Sequence, residues 1–319
     1  MLSLPEWWPM SKTRFPSIPR ELHEAVAGAV WIQWQALGGQ AAAPRAPDAI
    51  VDPEALVLSS LWLADDEPRL RDFLYGFAEV GSRLLSVQRL KRATGSFPAG
   101  GDARVAGFAA WVASFGKDPR WRNLAAAGSK PAGRLGKVAP ASTRLGDPGS
   151  LMLRLRTGFG VDVRVDTLTY LIGRRGAWAD VKDISEALLY AKYSVRGACE
   201  ALADARLIES RTDRPVKYYA DQRRWTTLLK LHHAPAWHPW VRVYAFVIRL
   251  RAWLREPGVQ AASPSLAASL AREFILEHGQ VLAQLQLDVP HERDYLGEEY
   301  LPAFERTVAA LVQWIGDNA

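Results

Sequence analysis

One cysteine, Cys199, stands in 319 residues, which excludes a disulfide within the chain, leaves no cysteine cluster for zinc, and gives no sign of an oxidising compartment. It reads as a small buried thiol, with a redox switch as the rarer alternative. The phosphate cradles are missing too. No Gly-x-x-x-x-Gly-Lys-Ser/Thr occurs, and no Gly-x-Gly-x-x-Gly follows a strand. His232, His233 and His238 lie close together, but among Trp and Pro and without a Cys nearby, so packing explains them better than metal ligation. Asp65, Asp66 and Glu67 between two helices read as helix-end charges. No enzyme activity, cofactor or metal is therefore expected. A long apolar run is also lacking: the most apolar stretch, Val241 to Leu254, is interrupted by Arg242, Arg249 and Arg251 and cannot span a membrane. The first ten residues lack a basic segment followed by an apolar one, so no secretory signal is expected, and the cytoplasm is the expected compartment, without a membrane partner.

What is present is the composition of a folded chain. Apolar residues make up 49% and charged ones 23%, with 13 Trp that suit helix-packing positions, in a length that accommodates two or three domains. The net charge of +6 is unevenly spread. Between residues 82 and 145, twelve Lys and Arg stand against Asp102 and Asp118; from Pro257 to the end, Arg272, Arg293 and Arg306 stand against nine Asp and Glu. A basic middle joined to an acidic end suggests nucleic-acid contacts on one side and a different role on the other.

Composition and apolar spacing divide the chain into an N-terminal arm over 1–20, a helical domain with a basic face over 21–124, a basic Gly/Pro/Ala-rich linker over 125–163, a central module over 164–230 and a C-terminal helical domain over 231–319. Helices are expected over Glu21 to Leu37, from the Asp52-Pro53 cap to Leu63, over Arg69 to Val80, Ser82 to Arg92 and Arg104 to Phe115. Beyond the module they are expected over Trp240 to Arg255, from Ser263-Pro264 to Leu287, and from Pro302 onward. The last carries an apolar stripe, Phe304, Val308, Leu311, Val312 and Ile315, which suits a homodimer seam or packing within its own domain.

The central module has the richest pattern. Val165, Leu168, Leu171 and Ile172 mark a first helix that closes at Gly173 to Gly176. Asp180 caps a second, with Val181, Ile184 and Leu188 inward. The third, about Lys192 to Ala205, turns Val195, Ala198, Cys199 and Leu202 inward, and a strand, turn and strand follow through Thr212-Asp-Arg-Pro215. Ala191 stands where Ser or Thr would cap the third helix, and Gly197 inside it costs about 1 kcal/mol against Ala.

On Asp180-Val-Lys-Asp-Ile-Ser-Glu-Ala-Leu188, Ser194-Val-Arg-Gly-Ala-Cys-Glu-Ala-Leu202 and Arg206-Leu-Ile-Glu-Ser-Arg211, about a fifth of the chain resembles the winged helix-turn-helix repressors of the MarR and ArsR type. The resemblance implies a mainly α fold with a central winged helix-turn-helix, a small β-hairpin wing and flanking helical domains. It also implies a sequence-specific transcriptional regulator of the repressor kind that binds double-stranded DNA, with the third helix in the major groove. The outward Lys192, Tyr193, Ser194 and Arg196 are then the groove-facing candidates, and Arg211, Arg214 and Lys217 the wing's phosphate contacts. The alternative is an interaction scaffold whose winged helix binds protein, which Glu200 and Glu209 favour.

Overall fold

A computed structural model describes residues 17–38, 48–125, 145–212, 214–291 and 293–319. It is mainly helical, with one small antiparallel sheet. The chain divides into two compact units, Met1–Val26 with Arg249–Asp317, and Ala27–Ile248 with Asn318–Ala319.

In the larger unit, helix α1 (Ile18–Ala36), which begins in the smaller one, is followed by α2 (Pro53–Leu63). Asp52 caps α2 as its sequence requires, its Oδ1 accepting from the Glu54 and Ala55 amides at 3.1 and 3.2 Å, with Pro53 at the first position, where no amide is needed. Nearly every residue of α2 is buried, so it runs through the middle of the helical layer rather than along its surface. Helix α3 (Pro68–Gly81) follows, then a 3-10 turn over Ser82–Leu84 and α4 (Val87–Thr94). The single helix expected over Ser82 to Arg92 is thus broken, because Ser86 turns extended and its Oγ accepts from the Arg89 amide. Helix α5 (Gly101–Trp111) runs on through a π-helical turn, and Asp118 caps a short 3-10 helix ending at Trp121.

The expected 125–163 linker needs correction. Residues 126–144, with Lys130, Arg134, Lys137 and Arg144, lie outside the described residues, but Leu151–Phe159 is a helix, α6, with Leu151, Met152, Leu153, Leu155 and Arg156 buried. Apolar residues at 151, 152 and 155 are a core stripe that the surrounding Gly and Pro content obscures.

Helix α7 (Val163–Gly173), strand β1 (Ala179–Asp180), α8 (Val181–Leu188), α9 (Lys192–Asp204), β2 (Glu209–Arg211), β3 (Lys217–Tyr219) and α10 (Gln222–Leu228) come next. The sheet order is β1-β3-β2, with Ala179 opposite Tyr218 and Arg211 opposite Lys217. Asp180 and Asp183 cap α8 reciprocally, side chain to amide at 2.9 and 3.3 Å. Leu168, Leu171, Ile184, Leu188, Val195, Leu202 and Tyr218 share one core. Gly173 closes α7 against Trp237: a β-carbon there would lie 2.9 Å from the Trp237 Cβ, so the approach requires glycine.

Helix α11 (Trp240–Leu254) crosses from the larger unit into the smaller, which holds α12 (Pro257–Gln260), α13 (Pro264–His278), α14 (Gln280–Gln284) and α15 (Tyr300–Asn318). The helix expected as far as Leu287 is interrupted at Gly279, where the Ile275 carbonyl leaves no room for a side chain. Trp253 packs against Phe274 and Phe304, with ring centroids 4.8 and 6.1 Å away. Of the stripe expected as a homodimer seam, Phe304, Val308, Leu311 and Ile315 are buried and Val312 is half-buried within the chain itself. Packing within the chain, the alternative reading of the stripe, therefore accounts for it, and the structure gives no support to a homodimer seam on these residues. No described helix is long and apolar enough to cross a membrane.

Candidate nucleic-acid interface

Helix α9 buries Val195, Ala198, Cys199 and Leu202 and exposes Lys192, Tyr193, Arg196 and Glu200, as its spacing predicts. Tyr193 stands 87% exposed, an unusual place for a large ring without a partner. Ser194 is half-buried and has the least reach of the four groove-facing candidates. Ala191 is extended and supplies no side-chain cap, so the first amides of α9 have no side-chain acceptor from that position. Cys199 is buried and its thiol is pushed up to about 12, first by burial and then by Glu200, which leaves it protonated and unreactive at neutral pH.

On the hairpin, Arg211, Arg214 and Lys217 are all exposed. They differ in what they touch. The Arg211 guanidinium on β2 lies 4.1 Å over the ring of Trp178, just before β1, and Trp178 stacks on Tyr219 of β3 at 5.1 Å, so guanidinium, indole and phenol form a column. Arg214 and Lys217, like Lys192 and Arg196 on α9, make no ion pair among the described residues. Of the histidines, His233 contacts Asp48 at 3.2 Å and His238 packs edge-on against Trp240; burial, then the nearby Arg175 charge, lowers His238 to about 4. Among the described residues no group of three or more His, Cys, Asp or Glu is placed to hold a metal.

A buried charge cluster behind the α8–α9 turn was not foreseen. Asp52, Glu54 and Asp166 meet Arg89 and Arg156, all five buried. Arg156 spans Glu54 at 2.7 and 3.1 Å and Asp166 twice at 2.8 Å. Arg89 reaches Asp52 at 2.6 Å and pairs with Glu54. Tyr190 donates to Asp166 at 2.9 Å, and the Ser86 amide donates to Glu54 at 2.7 Å. Three carboxylates face two guanidiniums, and the α2 N-terminus, where Asp52 and Glu54 sit, supplies the remaining positive potential. Burial alone would lower the proton affinity of Arg89, but Asp52, Glu54 and Asp166 outweigh it and raise that affinity; Asp166 and Glu54 do the same for Arg156. Burial alone would likewise raise the Asp166 carboxyl. Arg156 first, then Arg89 and Tyr190, reverse this and hold it below the usual carboxylate range.

The same helix α4 grips the turn. Arg89 Nε donates to the Leu188 carbonyl at 2.8 Å and Arg92 Nη1 to the Leu189 carbonyl at 3.0 Å, satisfying the C-terminal end of α8 where Leu189 adopts φ +58°. Tyr190 adds a hydrogen bond to Ser86 at 3.3 Å. The basic face expected of the 21–124 domain does not include every cation there: Arg89 points into the core while Arg83, Lys91 and Arg92 are exposed. Buried carboxylates and arginines whose partners lie 10 to 102 residues away leave no periodic trace, and only the Asp52 cap was visible in the sequence.

Because Asp166 titrates lower in the fold than in the unfolded chain, its contribution to stability is full above pH about 4 and is lost as the pH falls through the lowered value. The stability difference between the wild type and Asp166→Asn, measured by urea unfolding, is expected to be constant from pH 7 to about 5 and to shrink below about 4. A difference unchanged down to pH 3 would contradict this.

The chain matches no protein-family model, no curated protein and no solved structure.

Proposed function

We propose that residues 164–230 form a winged helix-turn-helix of the MarR and ArsR kind, and that the chain is a sequence-specific regulator that binds double-stranded DNA. The observation that carries the reading is the concentration on two elements of exposed cations that make no ion pair among the described residues, Lys192 and Arg196 on α9 and Arg214 and Lys217 on the hairpin. The element order around them, helix, strand, helix, helix, hairpin, with strand order β1-β3-β2, supports it. In this reading Lys192, Tyr193 and Arg196 face the major groove, with Arg196 suited to a bidentate contact with guanine. Arg214 and Lys217 lie along phosphates. Arg211 serves mainly to stiffen the wing through its column with Trp178 and Tyr219.

Binding to duplex DNA is expected to weaken steeply with salt, with a log–log slope of several units. A flat response between low and physiological salt would refute the reading. Arg196→Ala is expected to cost about 1–3 kcal/mol and to relax preference at one or two base pairs, whereas Arg214→Ala weakens all sequences alike. Competition between a selected site and mixed-sequence DNA separates the two outcomes, and an equal effect from both variants would remove α9 as the reader.

A further inference from the structure

The exposed residues of α4, Gln88, Lys91 and Arg92, lie as a stripe continued by the C-cap Gly95, opposite the buried Arg89, Leu90, Ala93 and Thr94. Its Arg92 reaches the Leu189 carbonyl at 3.0 Å, two residues before the Ala191 that opens α9. This places the stripe beside the turn that leads into the exposed cations of α9. Lys91 makes no ion pair among the described residues, and Arg92 spends one nitrogen on Leu189, leaving the rest of a planar donor fork. A lysine and an arginine in the last turn of α4 also suit that helix's negative end.

We infer that the α4 stripe is a second docking surface for a DNA duplex, in which Lys91 and Arg92 engage phosphates flanking the segment read by α9; this rests on the function proposed above. The contacts add affinity and fix register without reading sequence, because phosphate oxygens are the same at every base pair. They also extend the footprint beyond what the helix and hairpin reach alone. Arg92 then does two things at once, holding the α8–α9 turn and touching the backbone that passes it.

The test uses the full chain and a short fluorescein-labelled duplex of mixed sequence, with anisotropy titrations repeated over a range of KCl. Lys91→Gln, which removes an exposed charge and no internal contact, is expected to weaken binding several-fold and to make the salt slope shallower by about one unit. Arg92→Lys keeps the charge and is expected to keep the slope. Preference for a selected site over mixed sequence stays unchanged in both. If Lys91→Gln matches the wild type in affinity and slope while Arg196→Ala binds more weakly, the second surface is overturned and the proposed function stands. If the wild type itself shows no salt-dependent binding, both fall. If Arg92→Lys loses affinity as fully as Arg92→Ala while Lys91→Gln has no effect, Arg92 is a positioning residue for the turn alone and the phosphate surface is overturned.

Discussion

Arg156→Met is expected to destabilise the larger unit by about 3–5 kcal/mol, because it strands buried carboxylates rather than removing an ion pair as a whole. The variant loses both bonds to Glu54, both to Asp166 and the one to the Leu84 carbonyl at 2.8 Å. Three buried carboxylates are then left with Arg89 alone. Arg175→Met provides the contrast. Arg175 pairs with Asp48 at 2.7 Å and donates to the Ala234 carbonyl at 3.0 Å, but both side chains of the pair are more than 40% exposed, so this loss is expected to stay within about 1–2 kcal/mol. Urea unfolding followed by far-ultraviolet circular dichroism measures both. Similar midpoints for the two variants would mean that the cluster contributes no more than a surface pair.

The second large effect lies in the smaller unit. Leu311→Glu combined with Ile315→Glu places two carboxylates at positions 1% and 0% exposed, and is expected to remove about 5 kcal/mol or more, enough to abolish cooperative unfolding of that unit. A seam between subunits would give the opposite result, a folded and soluble monomer. Sedimentation and thermal unfolding of the double variant decide between them, with Gln313→Glu as a control at an exposed position of the same helix. A double variant with the wild-type melting temperature would contradict the placement of α15.

Much of the fold was legible wherever the information is local. Asp52, Asp180 and Ser263 were visible as helix starts, because an N-cap needs only a short polar side chain beside an apolar stripe. The inward and outward faces of α9 followed from periodicity, and Lys192, Tyr193 and Arg196 stand exposed where their spacing places them. What stayed hidden depends on partners distant in sequence. Arg89 and Arg156 look like solvated charges until Asp52, Glu54 and Asp166 are brought to them, and Arg211 looks like Arg214 until Trp178 is found under it. The stripe on α15 was ambiguous for a related reason: periodicity marks which face is apolar, not what covers it.

The buried charge cluster also bears on the order in which the chain assembles. Glu54 meets Arg156 across 102 residues, and Ser86 meets Tyr190 across 104. During synthesis Asp52, Glu54 and Arg89 emerge first and can pair with one another, but two carboxylates then face one guanidinium until Arg156 follows, so sealing the early helices around that uncompensated charge is unfavourable. Long-range closure of this kind is slow relative to helix formation. Completing the platform of α2 and α4 therefore depends on seating α7 and the turn before α9. A nascent chain displays its outward cations in fixed geometry only once the scaffold behind them is complete.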